Sequence, residues 1–400
     1  MSIVTSAGRV LLPPFATGTT CLRSRHMTVA SPSVALADSQ LARLLHLATR
    51  APSAGNMQPW RFRRAGAELE VVGFGGGEVS ALDHEGRATA LTLGGLLEYL
   101  AIAATAVHFT ADVALEADPT RAGRWATIRF EPRAGAPDPL AAALAARCTD
   151  RRDYLGGAVT DPVFAAIADD CGQYPECRLY LRGRDEYTDD LLAYVAASER
   201  FFWTCKPVQQ QVMKVVRWSA EEAAATRDGV LWEALGLGKT AARVLELSSR
   251  WPVQQLLNRL GFLAAVDRLT YSALRSAAGL GLITVRRPAR AAFVAAAGLH
   301  TRAWLRLHAA GYALQPFTGA SLYAADAEDD RLPREWPDDQ RRVFAPGMAV
   351  LRRAFDFPAD ETPVWLFRAG RSPGPLDRAR WTHRYDVTHV LRDGRRPVSA

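Results

Sequence analysis

Apolar residues recur at helical spacing over residues 38–49, with Leu41, Leu44, Leu45 and Ala48 on one face after an Asp38 or Ser39 cap; Pro52 stops that helix. A strand follows at 69–74, ended by the glycines at 75–77. Residues 94–107 are apolar on almost every side, the pattern of a buried helix. Strands follow at 107–115 and 126–130, and the Pro- and Gly-rich stretch 132–139 reads as a linker. A second cycle opens with a helix at 140–146 and a strand at 176–181. Residues 186–275 then read as helical throughout, interrupted at Gly236, Trp251-Pro252 and Gly261. A strand at 281–285, a long helix at 291–310 closed by Gly311, and a last strand at 363–369 complete the chain. The two halves share a broad order of elements with poor residue identity, so duplication is an architectural expectation rather than a visible repeat.

Composition narrows the class. Of the 400 residues, 48% are hydrophobic and 23% charged, the profile of a folded chain, and the length suits two to three average domains or one large α/β unit. The net charge of +7 comes from arginines scattered among apolar residues, with no zinc-finger spacing and no basic block, so no nucleic-acid partner is expected. Five cysteines without a C-x-x-C pair point to reduced thiols and a cytoplasmic location. Residues 1–37 read as a flexible leader, with Met27 as an alternative start. Residues 91–107 contain Glu98 and fall short of a membrane span, so no stable membrane insertion is expected. His300 and His308, two turns apart on one helix, imply packing rather than a metal.

Candidate chemistry lies in a few loops. Ala51-Pro52-Ser53-Ala54-Gly55-Asn56-Met57-Gln58-Pro59-Trp60 offers hydroxyl and amide groups on a backbone stiffened by two prolines and bent at Gly55. Such a surface suits a flat ring edged with carbonyls, although a generic Pro-Ser-x-x-Asn also reads as a capped helix end and a turn. The full string resembles the nitroreductase signature, which places Pro52, Ser53, Asn56 and Gln58 at flavin mononucleotide (FMN). Arg147-Cys148-Thr149-Asp150-Arg151 sets two guanidiniums four residues apart around a hydroxyl, a grip for a phosphate dianion, although an Arg-rich turn taken alone is more often a solvated surface. It resembles the phosphate motif that opens a nitroreductase domain, and more closely that of the Acg-type FMN-binding branch, with Asp150 in place of an asparagine. The resemblance gives Arg147, Thr149 and Arg151 to the cofactor. It further implies that Arg378 and Arg380, beyond Pro373 and Pro375, return to the FMN phosphate, that the backbone of Gly319 faces flavin N5, and that Arg87 lies near the flavin N1/O2 edge.

The order of these motifs, with the Pro-Ser loop about ninety residues before the arginine motif, matches the Acg-type arrangement. The expectation is an α+β, nitroreductase-like FMN-binding fold: a first half at 38–136 and a second at 137–400, with a helical insertion at 186–280. One FMN would sit between the halves of a monomer with an internal pseudo-dimer. The implied activity is that of an FMN-dependent oxidoreductase. Flavin N5 is the reactive centre, NAD(P)H a donor, and a nitro compound, quinone or natural-product intermediate the small-molecule substrate. The alternative is FMN storage beneath a lid, to which the insertion would contribute Trp203, Trp218 and Trp232.

Overall fold

The computed structural model of the chain describes residues 34–74, 82–83, 86–116, 123–377 and 381–393. Helix α1 (Asp38–Ala48) buries the four residues its periodicity marks, and the Gln40 side chain accepts the Ala37 N–H at 3.1 Å at its start. The loop that follows runs into β1 (Trp60–Ala65), a strand absent from the sequence reading, which turns at Gly66 into β2 (Glu68–Gly73). Gly66 has φ 63°, a value that favours glycine. Helix α2 (Arg87–Thr105) starts seven residues before the apolar run, because the Asp83 carboxylate accepts the N–H groups of Ala88 and Thr89 at 2.8 and 2.9 Å. Strands β3 (Phe109–Leu115) and β4 (Gly123–Pro132) complete this part.

Residues expected to be helical at 140–146 form instead a 3-10 turn over Pro139–Ala143, started by Pro139 and by Asp138, whose carboxylate accepts the Leu140 N–H at 2.9 Å. Helix α3 (Pro162–Asp170) and β5 (Cys177–Gly183) follow. The stretch expected to be helical throughout is broken up. Helices α4 (Asp189–Thr204) and α5 (Lys206–Val215) lead to β6 (Val216–Arg217), α6 (Ala220–Thr226) and β7 (Val230–Leu231). Helices α7 (Lys239–Leu247), α8 (Trp251–Arg259) and α9 (Phe262–Ser276) come next. The chain then forms β8 (Gly279–Val285), α10 (Arg290–Ala309), β9 (Tyr312–Pro316) and α11 (Thr318–Glu328). Helices α12 (Asp338–Arg341) and α13 (Gly347–Phe355) precede β10 (Thr362–Arg371). The strand at 363–369 is not the last: α14 (Val387–Val390) and β11 (Leu391–Asp393) lie beyond it.

Two main sheets result. One has the order β11-β1-β2-β4-β3, the other β5-β8-β10-β9, and β6 pairs separately with β7. In the first sheet β11 joins β1 in parallel, Phe62 opposite Leu391, so two segments more than three hundred residues apart share one sheet. Helix α2 packs on α1 and β3, α10 packs on the second sheet, and the two long helices pack on each other. Their approach depends on small residues: a Cβ on Gly94 would stand 2.1 Å from the Val294 carbonyl oxygen. Helix α2 is long and apolar enough to cross a membrane by length and composition, yet 72% of that window is buried in the fold. Its one acid, Glu98, meets Arg302 of α10 at 2.8 Å and accepts the Tyr174 hydroxyl at 2.8 Å.

Candidate functional site

A cavity of about 610 Å³ opens where distant segments meet: the loop after α1, the 147–151 loop, the wall from α4 to residue 235, the start of α11 and residues 381–384. Its size falls within the usual range of small-molecule and cofactor sites. Among the described residues no group of three or more His, Cys, Asp or Glu is placed to hold a metal.

The Pro52–Pro59 loop turns tightly, with Gly55 at φ 56°, Asn56 at 56° and Gln58 at 47°. Two non-glycine residues in the left-handed region need compensation, and side-chain hydrogen bonds supply it. The Ser53 hydroxyl oxygen accepts the Gln58 N–H at 3.1 Å. The Gln58 amide donates to Arg227 O at 2.8 Å, and its oxygen accepts the Tyr385 N–H at 2.9 Å. The Asn56 amide donates to Gly229 O and His383 O, each at 2.9 Å, while its Oδ1 is buried without a partner among the described residues. Pro52, Ser53 and Asn56 line the cavity, whereas the structure sets Gln58 behind the wall, fully buried and spent on the chain itself.

Two guanidiniums, Arg147 and Arg384, line one end of the cavity, and that of Arg50 lies close to both without lining it. Arg147 is buried, donates through Nε to the Tyr99 hydroxyl at 2.6 Å and through Nη2 to Arg50 O at 3.1 Å, and stacks 4.3 Å over Trp304. Burial, then the like charges of Arg50 and Arg147, hold the Arg384 guanidinium well below the usual arginine range. Burial and Arg147 act the same way on Arg50, which lies 5.5 Å over the Trp381 ring. Among the described residues no carboxylate offsets the charge of either Arg50 or Arg384. By Coulomb's law, like charges this close repel one another, and an anion placed among them would relieve that repulsion.

Thr149 and Arg151 line the wall farther along, and Arg151 donates to Ala234 O at 3.1 Å. The Asp150 carboxylate is taken by Arg152 at 2.7 Å. Gly319, in the first turn of α11, also faces the cavity, where a Cβ would come 3.3 Å from the Phe202 ring. Phe202, Trp203 and Glu199 share one face of α4, and burial pushes the Glu199 carboxyl up to about 7 against the pull of Arg151.

The structure brings Pro52, Ser53, Asn56, Arg147, Thr149, Arg151 and Gly319 to one cavity. Arg378 and Arg380 lie outside the described residues. Arg87 is turned away, buried in an ion pair with Asp326. Of the three tryptophans expected to cover a ring, only Trp203 reaches the wall. Sequence reasoning missed Arg50, Arg384 and Glu199. The first stands directly before the Pro-Ser loop, and the second lies four residues past Arg380.

The structure overlaps weakly with the FMN- and NADPH-dependent nitroreductase of Sphigopyxis sp. strain HMH: TM-score 0.34 and 12% identity, over 64% of this chain and 98% of that one. An uncharacterized protein of Mycobacterium tuberculosis is 38% identical over 90 residues, which are 22% of this chain and 26% of that protein. A second M. tuberculosis protein, provisionally named an NAD(P)H nitroreductase, is 36% identical over 115 residues, 28% of this chain and 33% of its own length. The chain thus spans about a quarter to a third of these relatives. Residues 31–105, which carry the Pro52–Trp60 loop and helix α2, match the model of the Nitroreductase family, and this supports the nitroreductase superfamily.

Proposed function

We propose that this chain is an FMN-dependent oxidoreductase of the Acg-type branch, built from two nitroreductase-like halves and holding one FMN per chain as a monomer. The observation that carries the reading is the pair Arg147 and Arg384 lining the same cavity as the Pro-Ser loop, with Arg50 beside them and, among the described residues, no carboxylate offsetting Arg50 or Arg384. The residues present fit the cofactor: these arginines suit its phosphate, and the unpartnered Asn56 Oδ1 is an acceptor for a ring N–H. Two main sheets with a long buried helix apiece, joined at Gly94, support the internal pseudo-dimer.

When bound, FMN supplies two-electron redox chemistry at N5, between a donor such as NAD(P)H and a small organic acceptor. The chain's own residues bind and orient. Arg147 is fixed by Tyr99 and Trp304, so little freedom is lost when it engages an anion. The wall from Glu199 to Leu235 screens the cavity from water with Phe202, Trp203, Val212 and Val215.

Purified protein should carry about one FMN per chain, and anaerobic NADPH or NADH should bleach its flavin absorbance. Bleaching by dithionite but by neither nucleotide would favour the storage reading, to which the walled cavity also lends itself. Colourless protein that takes up no FMN would refute both.

A further inference from the structure

Glu199 is the one acid on the α4 face of the cavity, and the proposed reaction has not yet used it. Phe202 and Trp203, one turn on, present aromatic surface beside it, and Phe202 reaches the space next to Gly319. Among the described residues Glu199 makes no hydrogen bond; Arg151 alone acts on its charge. The other charged groups around α4 are engaged elsewhere. Its neighbour Arg200 pairs with Asp267 of α9 at 3.1 Å, Asp190 with Arg353 of α13 at 3.1 Å, and Asp326 of α11 with Arg87. Tyr323 of α11 donates to Leu82 O, and Lys206 and Lys214 stand on exposed turns of α5. Asp83, Arg147 and Arg384 hold other parts of the wall, Asp83 as the acceptor at the start of α2. A carboxyl in this setting has no internal partner, an aromatic shelf next to it and a guanidinium able to steady its ionised form.

We propose that Glu199 donates the proton to the acceptor reduced in this cavity, a planar quinone-class compound resting on Phe202 and Trp203. This rests on the FMN reading. One carbonyl oxygen of the quinone takes a hydride, two electrons and a proton, from reduced flavin. The Glu199 O–H bond breaks, and its proton bonds to the other carbonyl oxygen. Quinone, hydride and proton together make the hydroquinone, and the carboxylate left facing Arg151 is reprotonated from water. The acid form must be present for this step. With the carboxyl held near 7, quinone reduction falls as pH rises through that value.

The test compares wild type with Glu199→Gln, both loaded with FMN and reduced by dithionite, then oxidised by 1,4-benzoquinone or by ferricyanide, which takes electrons without a proton. Glu199→Gln should slow benzoquinone at pH 6 by about 100-fold or more and leave ferricyanide unchanged. Independently of turnover, infrared titration should show a protonated-carboxyl band in wild type that disappears near pH 7 and is missing in Glu199→Gln. Equal rates for both proteins, equal slowing of both oxidants, or a band that survives the substitution would overturn the proposal. Protein that takes up FMN yet gives any of these results overturns the proposal alone; protein that takes up no FMN overturns the cofactor reading and the proposal with it.

Discussion

Arg384→Gln is the perturbation that separates an anion site from a mere basic surface. Arg147 is the poorer choice: truncating it would strand the Tyr99 hydroxyl and Arg50 O and open space against Trp304, so a loss of binding would be confounded with damage to the core. Among the described residues Arg384 is tied only to its own turn, through Thr382 and through His383 O at 3.0 Å, and its Nε is buried without a partner. Removing it deletes one charge-assisted hydrogen bond to a phosphate, about 1.5–3 kcal/mol, or about one to two decades in affinity. Riboflavin has the same ring and no phosphate, so its affinity should hardly change. The bare protein should respond in the opposite direction. Arg50, Arg147 and Arg384 repel one another, and among the described residues no carboxylate offsets Arg50 or Arg384, so neutralising one raises the unfolding temperature of the flavin-free form.

Titrating flavin-free wild type and Arg384→Gln with FMN and with riboflavin, by calorimetry or fluorescence quenching, gives four dissociation constants. Thermal unfolding of the same samples gives the stability change. A one- to two-decade loss confined to FMN, together with a higher Tm in the flavin-free variant, is expected. Equal losses for both ligands, or a lower Tm, would show that the three guanidiniums are not an anion site.

Gly94→Ala should lower the Tm, because a Cβ 2.1 Å from Val294 O forces the two long helices apart at a cost of about 1–3 kcal/mol or more, above the helix-propensity gain of about 1 kcal/mol. An unchanged Tm would refute the close contact. His300 is fully buried, stacked 3.7 Å on Trp365, and burial, then Arg147, holds its pKa well below 6.5. Its stabilisation is therefore present above pH 6.5 and lost as pH falls toward the folded-state value, by up to about 1.4 kcal/mol per pH unit. His300→Phe should flatten denaturant-measured stability between pH 6.5 and 4.5, and parallel curves for the two proteins would contradict this. Trp203→Ala should speed stopped-flow reduction of bound flavin by NADPH while Trp218→Ala leaves it unchanged, since only Trp203 stands in the wall; identical rates in all three would make that wall scaffold.

What could be read from the chain was what local periodicity encodes. The long helices α2 and α10 are apolar on nearly every side and were visible, though the start of α2 was not, because it is set by Asp83 rather than by hydrophobicity. Strand β1 alternates Trp60 and Phe62 inward, yet Arg61 between them is also buried, 3.8 Å over Phe74, so the polar phase that marks a strand is blurred. Strands β6 and β7 are two residues each, too short to show any period. β11 exists only through parallel pairing with a strand more than three hundred residues earlier. Glu199 illustrates the same limit for chemistry. On an amphipathic helix a glutamate looks like part of the solvated face, and only the packing of distant segments turns that face toward a cavity.

The Pro-Ser loop acquires a second meaning from this geometry. Its amides are the obvious ligand-facing groups in the sequence, yet most of their hydrogen-bonding capacity is spent inside the protein. Gln58 ties the turn at Arg227 to the backbone of Tyr385, and Asn56 ties Gly229 to His383. These bonds hold residues 227–229 and 383–385 against Asn56 and Gln58, and Arg384 reaches the cavity because the residues on either side of it are held by the loop. Tyr385 adds a contact to Asp228 at 3.2 Å and stacks on His389, whose ring meets Arg61 at 3.1 Å. The loop thus acts as a hub beside the cavity, and among the described residues its Asn56 Oδ1 is a buried side-chain acceptor without a partner. Loss of the Gln58 amide would be felt first at Arg384, through the displaced C-terminal segment, although Gln58 itself never reaches the cavity wall.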